Sequence, residues 1–181
     1  MKNLENFCRL NLSLDVGFLD DMLLPLHRSV ARPQKYAKNQ IGMLAPVDVM
    51  LVQGRAREYV VGQLPQRVLQ HEIPDVSVFE MTGVAGEFSL VGAHIDIGRV
   101  SAINYHIDTN GEHTVFCDWD GENISPATSF KAQNNESWML DVTVPHYITL
   151  KPGKTRRILT IGFKKTDYQT LRRMCASKVY K

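Results

Sequence analysis

The chain has 181 residues, 44% of them hydrophobic, enough to bury one sizeable core and short for two, so a single domain over residues 1–181 is expected. Its 21 basic and 19 acidic residues leave a formal charge of +2, a balance that gives no argument for a nucleic-acid or anionic-membrane partner. No run of about 18 apolar residues occurs and the first residues lack a continuous apolar stretch, so neither a membrane span nor a secretion signal is expected; Cys8, Cys117 and Cys175, without CxxC spacing, speak against a disulfide framework or zinc finger and fit a reducing cytoplasm.

Residues 1–75 read as short helices and edge strands wrapping a core. "LDDMLLPLHRSVA" predicts a short helix on Leu19, Met22, Leu23 and Leu26, interrupted at Pro25, and "REYVVGQLPQRVLQHEIP" predicts short pieces cut by Gly62, Pro65 and Pro74. From Val76 the apolar period becomes two: "VSVFEM", "FSLVGAHIDI", "VSAINYHID", "HTVFCDWD", "SWMLDVTV" and "RRILTIGF" each read as strands. "TNGEH" predicts a tight hairpin, because Asn-Gly accepts positive φ, and "KPGK" a second turn. "DGENISPATSFKAQNNES" reads as a polar connection crossing a barrel mouth. The tail "DYQTLRRMCASKVYK" begins as a short helix and reads as a solvated, frayed end. Many short strands with frequent turns predict a mainly β fold, a jelly roll over residues 76–165 with helices at the N-terminus.

The strands carry polar residues where a core wants apolar ones, and a buried polar group without a partner costs on the order of 1–3 kcal/mol. "GAHIDIGRVSAINYHID" reads as a buried strand pair yet holds His94, Asp96, Asn104, His106 and Asp108. Residues two apart on a strand share a face, so His94 and Asp96 offer one ion a nitrogen and an oxygen. A third ligand should come from a strand brought alongside, and "VPHYI" offers His146. Two His and one carboxylate leave three positions open on an octahedral metal, the arrangement of non-haem Fe(II) oxygenases. Arg156 follows ten residues later, at the head of an apolar strand, where a guanidinium can grip a carboxylate through two hydrogen bonds.

The ordered pieces "HID", "VPHYI" and "RRILTIGF" resemble the Fe(II)- and 2-oxoglutarate-dependent dioxygenases of the prolyl-hydroxylase-like group. "RVSAINYHIDTNGEHTVFCDWD" and "SWMLDVTVPH" resemble the same family, and the likeness covers about residues 84–163. It implies a double-stranded β-helix of the cupin-like kind. It also implies that His94, Asp96 and His146 hold Fe(II), and that Arg156 pairs with the distal carboxylate of 2-oxoglutarate while the keto acid end chelates the metal. Arg157 is the rival for that role, since a one-residue slip in register exchanges the faces. Thr160 shares the face of Arg156 and supports the carboxylate; Asn104, and then Thr114, stand where the family has polar residues near the cosubstrate. Where the family often has Ser or Thr two residues after the Arg, this chain has Ile158.

The activity so implied is hydroxylation of a C–H bond with O2, releasing succinate and CO2; the resemblance does not choose the substrate, and a small domain without a basic patch favours a peptide side chain or small molecule over nucleic acid. A cupin-like metal enzyme that does not use 2-oxoglutarate and a non-catalytic β-barrel binding module are the other two readings. For the remaining polar residues plainer roles are expected. His106 and His113 read as exposed or just outside the ligand set, with His106 as a replacement ligand the alternative, Asp108 and Asp118 as turn and rim residues, Trp119 and Trp138 as core aromatics or lining of a substrate cleft, Arg99 as a solvated charge before a residue facing the cleft, and His27 and His71 as residues without a role in the site.

Overall fold

In the computed structural model, which describes residues 5–17, 19, 23–30, 43–86 and 89–179, the period-two segments become strands of two sheets. In chain order the elements are β1 (Phe7–Leu10), β2 (Leu23–Val30), β3 (Met43–Leu44), β4 (Pro46–Val52), α1 (Gly54–Gly62), α2 (Gln66–His71), β5 (Asp75–Thr82), β6 (Ser89–His94), β7 (Ser101–Asp108), β8 (His113–Trp119), β9 (Ile124–Lys131), β10 (Ser137–Leu140), β11 (His146–Leu150), β12 (Thr155–Phe163) and α3 (Tyr168–Met174). One sheet has seven strands in the order β1-β10-β7-β12-β5-β4-β2, the other five in the order β3-β6-β11-β8-β9. All pairings are antiparallel except β3 with β6. This is the double-stranded β-helix, or jelly roll, that the strand pattern predicts.

β12 shows how the layers are made. It lies inside the larger sheet, between β7 and β5, and both of its faces are covered, which is why "ILTIGF" runs apolar instead of alternating. Leu159, Ile161 and Phe163 face one way, into a core shared with Ala56 and Val60 of α1, Val68 of α2 and Leu171 of α3. Ile158 faces the other way, into a second core with Val91, Ile148 and Leu150 of the smaller sheet. Arg156 has the parity of Ile158, so its side chain enters the space between the sheets. A third cluster, with Ala102, Phe116, Phe130 and Leu140, closes that space at the other side.

Several expectations are corrected by this topology. The segment 23–30 is a strand, not a helix: it is the outermost strand of the larger sheet, and an edge tolerates Pro25, which has no N–H to give, beside a register shift between Pro25 and His27. Met22 lies outside the described residues. Residues 92–108 do not form a strand pair, since β6 and β7 belong to different sheets. "TNGEH" likewise turns the chain between sheets rather than closing a hairpin, although Gly111 does take the positive φ, 81°, that the turn requires. The polar stretch 120–137 contains β9, an edge strand paired with β8; its outward residues are polar because only one side of it is covered. Trp119 is 47% exposed rather than a core residue.

The tail is docked. Tyr168 and Leu171 of α3 and Cys175 beyond it are buried in the helix-side core, Asp167 caps α3 by accepting from the Thr170 amide at 2.9 Å, and Val179 bridges to Leu10. Leu171→Ala should therefore lower stability by roughly 2–5 kcal/mol in urea unfolding; a solvated tail would give a change within about 0.5 kcal/mol.

Candidate metal centre

His94 closes β6, His146 opens β11, and the two are partners across the ladder, with a register shift just after His146. Their rings stand 4.5 Å apart, centroid to centroid. Asp96 follows two residues after His94, beyond the end of the strand, where its amide donates to the Val142 carbonyl at 3.1 Å. These anchors bring the three side chains together, with one ligand atom from each lying within 4.8 Å of the others. Asp96 Oδ1 is 3.4 Å from His94 Nε2 and 4.0 Å from His146 Nε2.

The tautomers follow from the partners. His94 Nδ1 lies 2.6 Å from the Gly92 carbonyl and His146 Nδ1 lies 2.9 Å from the Val144 carbonyl. A carbonyl only accepts, so each Nδ1 carries the proton and donates it. For neutral imidazoles that leaves both Nε2 lone pairs aimed toward Asp96, the orientation metal-bound His residues have when a backbone carbonyl holds the other nitrogen. Burial, and then the charge of His94, push His146 down to about 4, so it is neutral at pH 7. Burial opposes charge on His94 too, but the hydrogen bond and charge of Asp96 outweigh it and raise His94. Asp96 itself resists burial, yet the His94 hydrogen bond and the Arg99 guanidinium hold its carboxyl far below the usual range. An anionic oxygen and two imidazole nitrogens form a donor set that fits a divalent transition metal.

Arg99 is not the solvated charge expected from sequence. Its Nη2 reaches Asp96 Oδ2 at 2.8 Å, and its guanidinium sits 5.4 Å from the Phe79 ring centroid. Nothing in the spelling "HIDIGR" distinguishes that arrangement from an exposed arginine.

A second polar group lies deeper between the sheets. Arg156 is 1% exposed, and its Nη2 donates to Thr114 Oγ1 at 3.1 Å and to His106 Nδ1 at 3.4 Å. Its Nε and Nη1 are buried with no hydrogen-bond partner among the described residues. His106, expected at the periphery, is fully buried beside it; the accepting Nδ1 puts the proton of the neutral ring on Nε2, which likewise has no partner among the described residues. Burial and the Arg156 charge push His106 well below its ordinary value. Burial lowers Arg156 to about 10, opposed by the charge of Glu112. Glu112 is buried as well, its Oε2 taken by the Thr109 hydroxyl and the Asn110 amide, each at 2.7 Å. Thr160 donates to Asn104 Oδ1 at 2.8 Å on the same inner face. Arg157 points the other way, where its Nε pairs with Glu80 at 3.1 Å.

No protein-family model matches this sequence, and no curated protein matches it. Solved structures do. A Pseudomonas putida prolyl-4-hydroxylase is similar with a TM-score of 0.50 and 14% identity, over 89% of this chain and 93% of that one. A prolyl hydroxylase from Trichoplax adhaerens, in complex with a hypoxia inducible factor peptide fragment, is similar with a TM-score of 0.49 and 15% identity, over 95% of this chain and 88% of that one. Vicilin from hazelnut, Corylus avellana, is similar with a TM-score of 0.42 and 11% identity over 65% of this chain, which spans 30% of the vicilin's length. The likeness to the Pseudomonas putida enzyme, at 14% identity, establishes a shared fold alone. Among the described residues no helix is long and apolar enough to cross a membrane, and Cys8, Cys117 and Cys175 are free thiols.

Proposed function

We propose that this protein is an Fe(II)- and 2-oxoglutarate-dependent oxygenase that hydroxylates a C–H bond, with His94, Asp96 and His146 holding the iron and Arg156 holding the distal carboxylate of the cosubstrate. The observation that carries the reading is the buried guanidinium of Arg156, two of whose donor atoms have no partner among the described residues. Left alone, a buried charge costs several kcal/mol, so a protein that keeps one has a use for it. Nε and Nη1 open onto different edges of the guanidinium plane, so a carboxylate beside Arg156 would accept a charge-assisted hydrogen bond from one of them and relieve part of that deficit.

Placement supports the pairing. On β8, Phe116 stands opposite His146, and Thr114, which accepts from Arg156, stands two residues away opposite Ile148. Two residues of strand span about 7 Å, a distance that a chelating five-carbon keto diacid bridges. Ile158 offers no hydroxyl and Thr160 directs its hydrogen to Asn104, which leaves the Thr114 hydroxyl and His106 Nε2–H as further donors beside Arg156. When bound, iron and 2-oxoglutarate supply the oxidising power for C–H hydroxylation, with O2 consumed and succinate and CO2 released. The chain's own residues position them: carbonyls of Gly92 and Val144 fix the imidazoles, and the apolar sheets around Arg156 keep water from competing for its donors. The substrate is read as a peptide side chain or small molecule.

The test is anaerobic titration of the metal-free protein with Fe(II) and then 2-oxoglutarate, followed by the visible charge-transfer band of a keto acid chelating ferrous iron. The band is the expected result, and a protein that binds iron without it fits the rival cupin-like enzyme, in which Arg156 holds no cosubstrate. His106→Phe should weaken 2-oxoglutarate binding by roughly ten- to a hundredfold, the effect of one hydrogen bond to a charged group, without loss of iron; unchanged affinity would remove His106 from the site.

A further inference from the structure

The geometry points to Arg99 as the positioning residue of the metal centre, holding Asp96 so that only Oδ1 faces the metal. This role rests on the metal reading and not on the cosubstrate. Asp96 has two equivalent oxygens, and which one faces His94 and His146 depends on what the other does. Oδ2 is held by Arg99 Nη2 at 2.8 Å, while Oδ1 lies nearest the two imidazoles. A carboxylate released from that hold can turn and present both oxygens to the ion. One more coordination position would then be filled, leaving two of the three that a site with two His and a single carboxylate oxygen keeps open.

Arg99 is itself fixed from three directions. Gly98, at φ 80°, turns the chain sharply so that residues 96 and 99 meet across the bend. The Phe79 ring of β5 lies against the guanidinium. The stem of Arg99 crosses β12 at Gly162, where a Cβ would overlap Arg99 Cδ and crowd Cγ at 3.3 Å. Gly162 therefore lacks a side chain at the one point of a buried central strand where Arg99 passes. A solvated arginine would need neither the ring nor the missing Cβ.

The experiment is Co(II) titration of the metal-free protein, read by affinity and by the visible d–d spectrum, which reports coordination number. Arg99→Met keeps the stem and removes the charge; it should weaken Co(II) about 10- to 100-fold and alter the spectrum. Arg99→Lys, which restores the charge without the fork, should recover part of the affinity. Gly162→Ala, which leaves Arg99 in the sequence but displaces its stem, should shift affinity and spectrum in the same direction as Arg99→Met, and it carries the test if Arg99→Met does not fold by circular dichroism. Folded Arg99→Met or Gly162→Ala protein with unchanged affinity and spectrum overturns the role and leaves the metal site standing. Unsubstituted protein that binds no Co(II) removes both.

Discussion

Replacing Arg156 by Met should cut 2-oxoglutarate affinity at least about 30-fold and make the cosubstrate-free protein no less stable than the unsubstituted one. The two effects share one cause. Truncating one partner of a buried, hydrogen-bonded charge pair costs about 2–5 kcal/mol, and each 1.4 kcal/mol is tenfold in affinity. Without the diacid, however, the guanidinium is a buried cation whose Nε and Nη1 have no partner among the described residues, compensated only by Thr114, the long contact to His106 and the field of Glu112. Apolar replacement of such a group is neutral to stabilising, by up to about 4 kcal/mol. Arg157→Met is the control: it removes an ion pair with Glu80 outside the space between the sheets and should leave 2-oxoglutarate binding unchanged. Equilibrium binding and urea unfolding of the two variants decide the matter. Equal loss of affinity in both would transfer the role to Arg157 or to neither.

The parity that separates Arg156 from Arg157 could not be fixed from the text "KTRRILTIGF", because both faces of β12 are buried and an apolar run carries no alternation to count from. The sheets supply it, through the neighbours of Ile158 on one side and of Leu159 on the other. The pair His94 and Asp96 was legible for the opposite reason: the two are two apart at a strand end, so local geometry suffices to put them together, whereas His146, on β11, was reached through the ordered pieces of the family resemblance. What stayed hidden depends on contacts made across the fold. Arg99 looked solvated because its partners Phe79 and Gly162 lie on other strands, and His106 looked peripheral because "TNGEH" was read as a hairpin tip when the chain there crosses between sheets. The helix expected around Leu23 failed where apolar spacing alone was weighed against Pro25, whose place on an edge strand only the sheet order reveals.

Asp96→Ala should eliminate metal binding at concentrations that saturate the unsubstituted protein, and with it the stabilisation that metal confers. A ligand present at 100 times its dissociation constant stabilises the folded state by about 2.7 kcal/mol. For a chain of this length that raises the melting temperature by roughly 5–10 °C. His146→Ala and His94→Ala should lose the same increment, since any one of them leaves two donors. They should differ in the metal-free state. His146 is neutral at pH 7 and its removal leaves no charge behind, whereas removal of Asp96 strands Arg99 against Phe79 and takes from His94 the carboxylate that raises it. Asp96→Ala should therefore be the least stable of the three without metal at pH 7, provided that cavity losses at the two histidines do not exceed one unpaired charge; Asp96→Asn, which fills the same volume, separates those terms. Melting curves of the four variants with and without Co(II) give both answers. A metal-induced rise that survives in Asp96→Ala would place the ion elsewhere in the molecule.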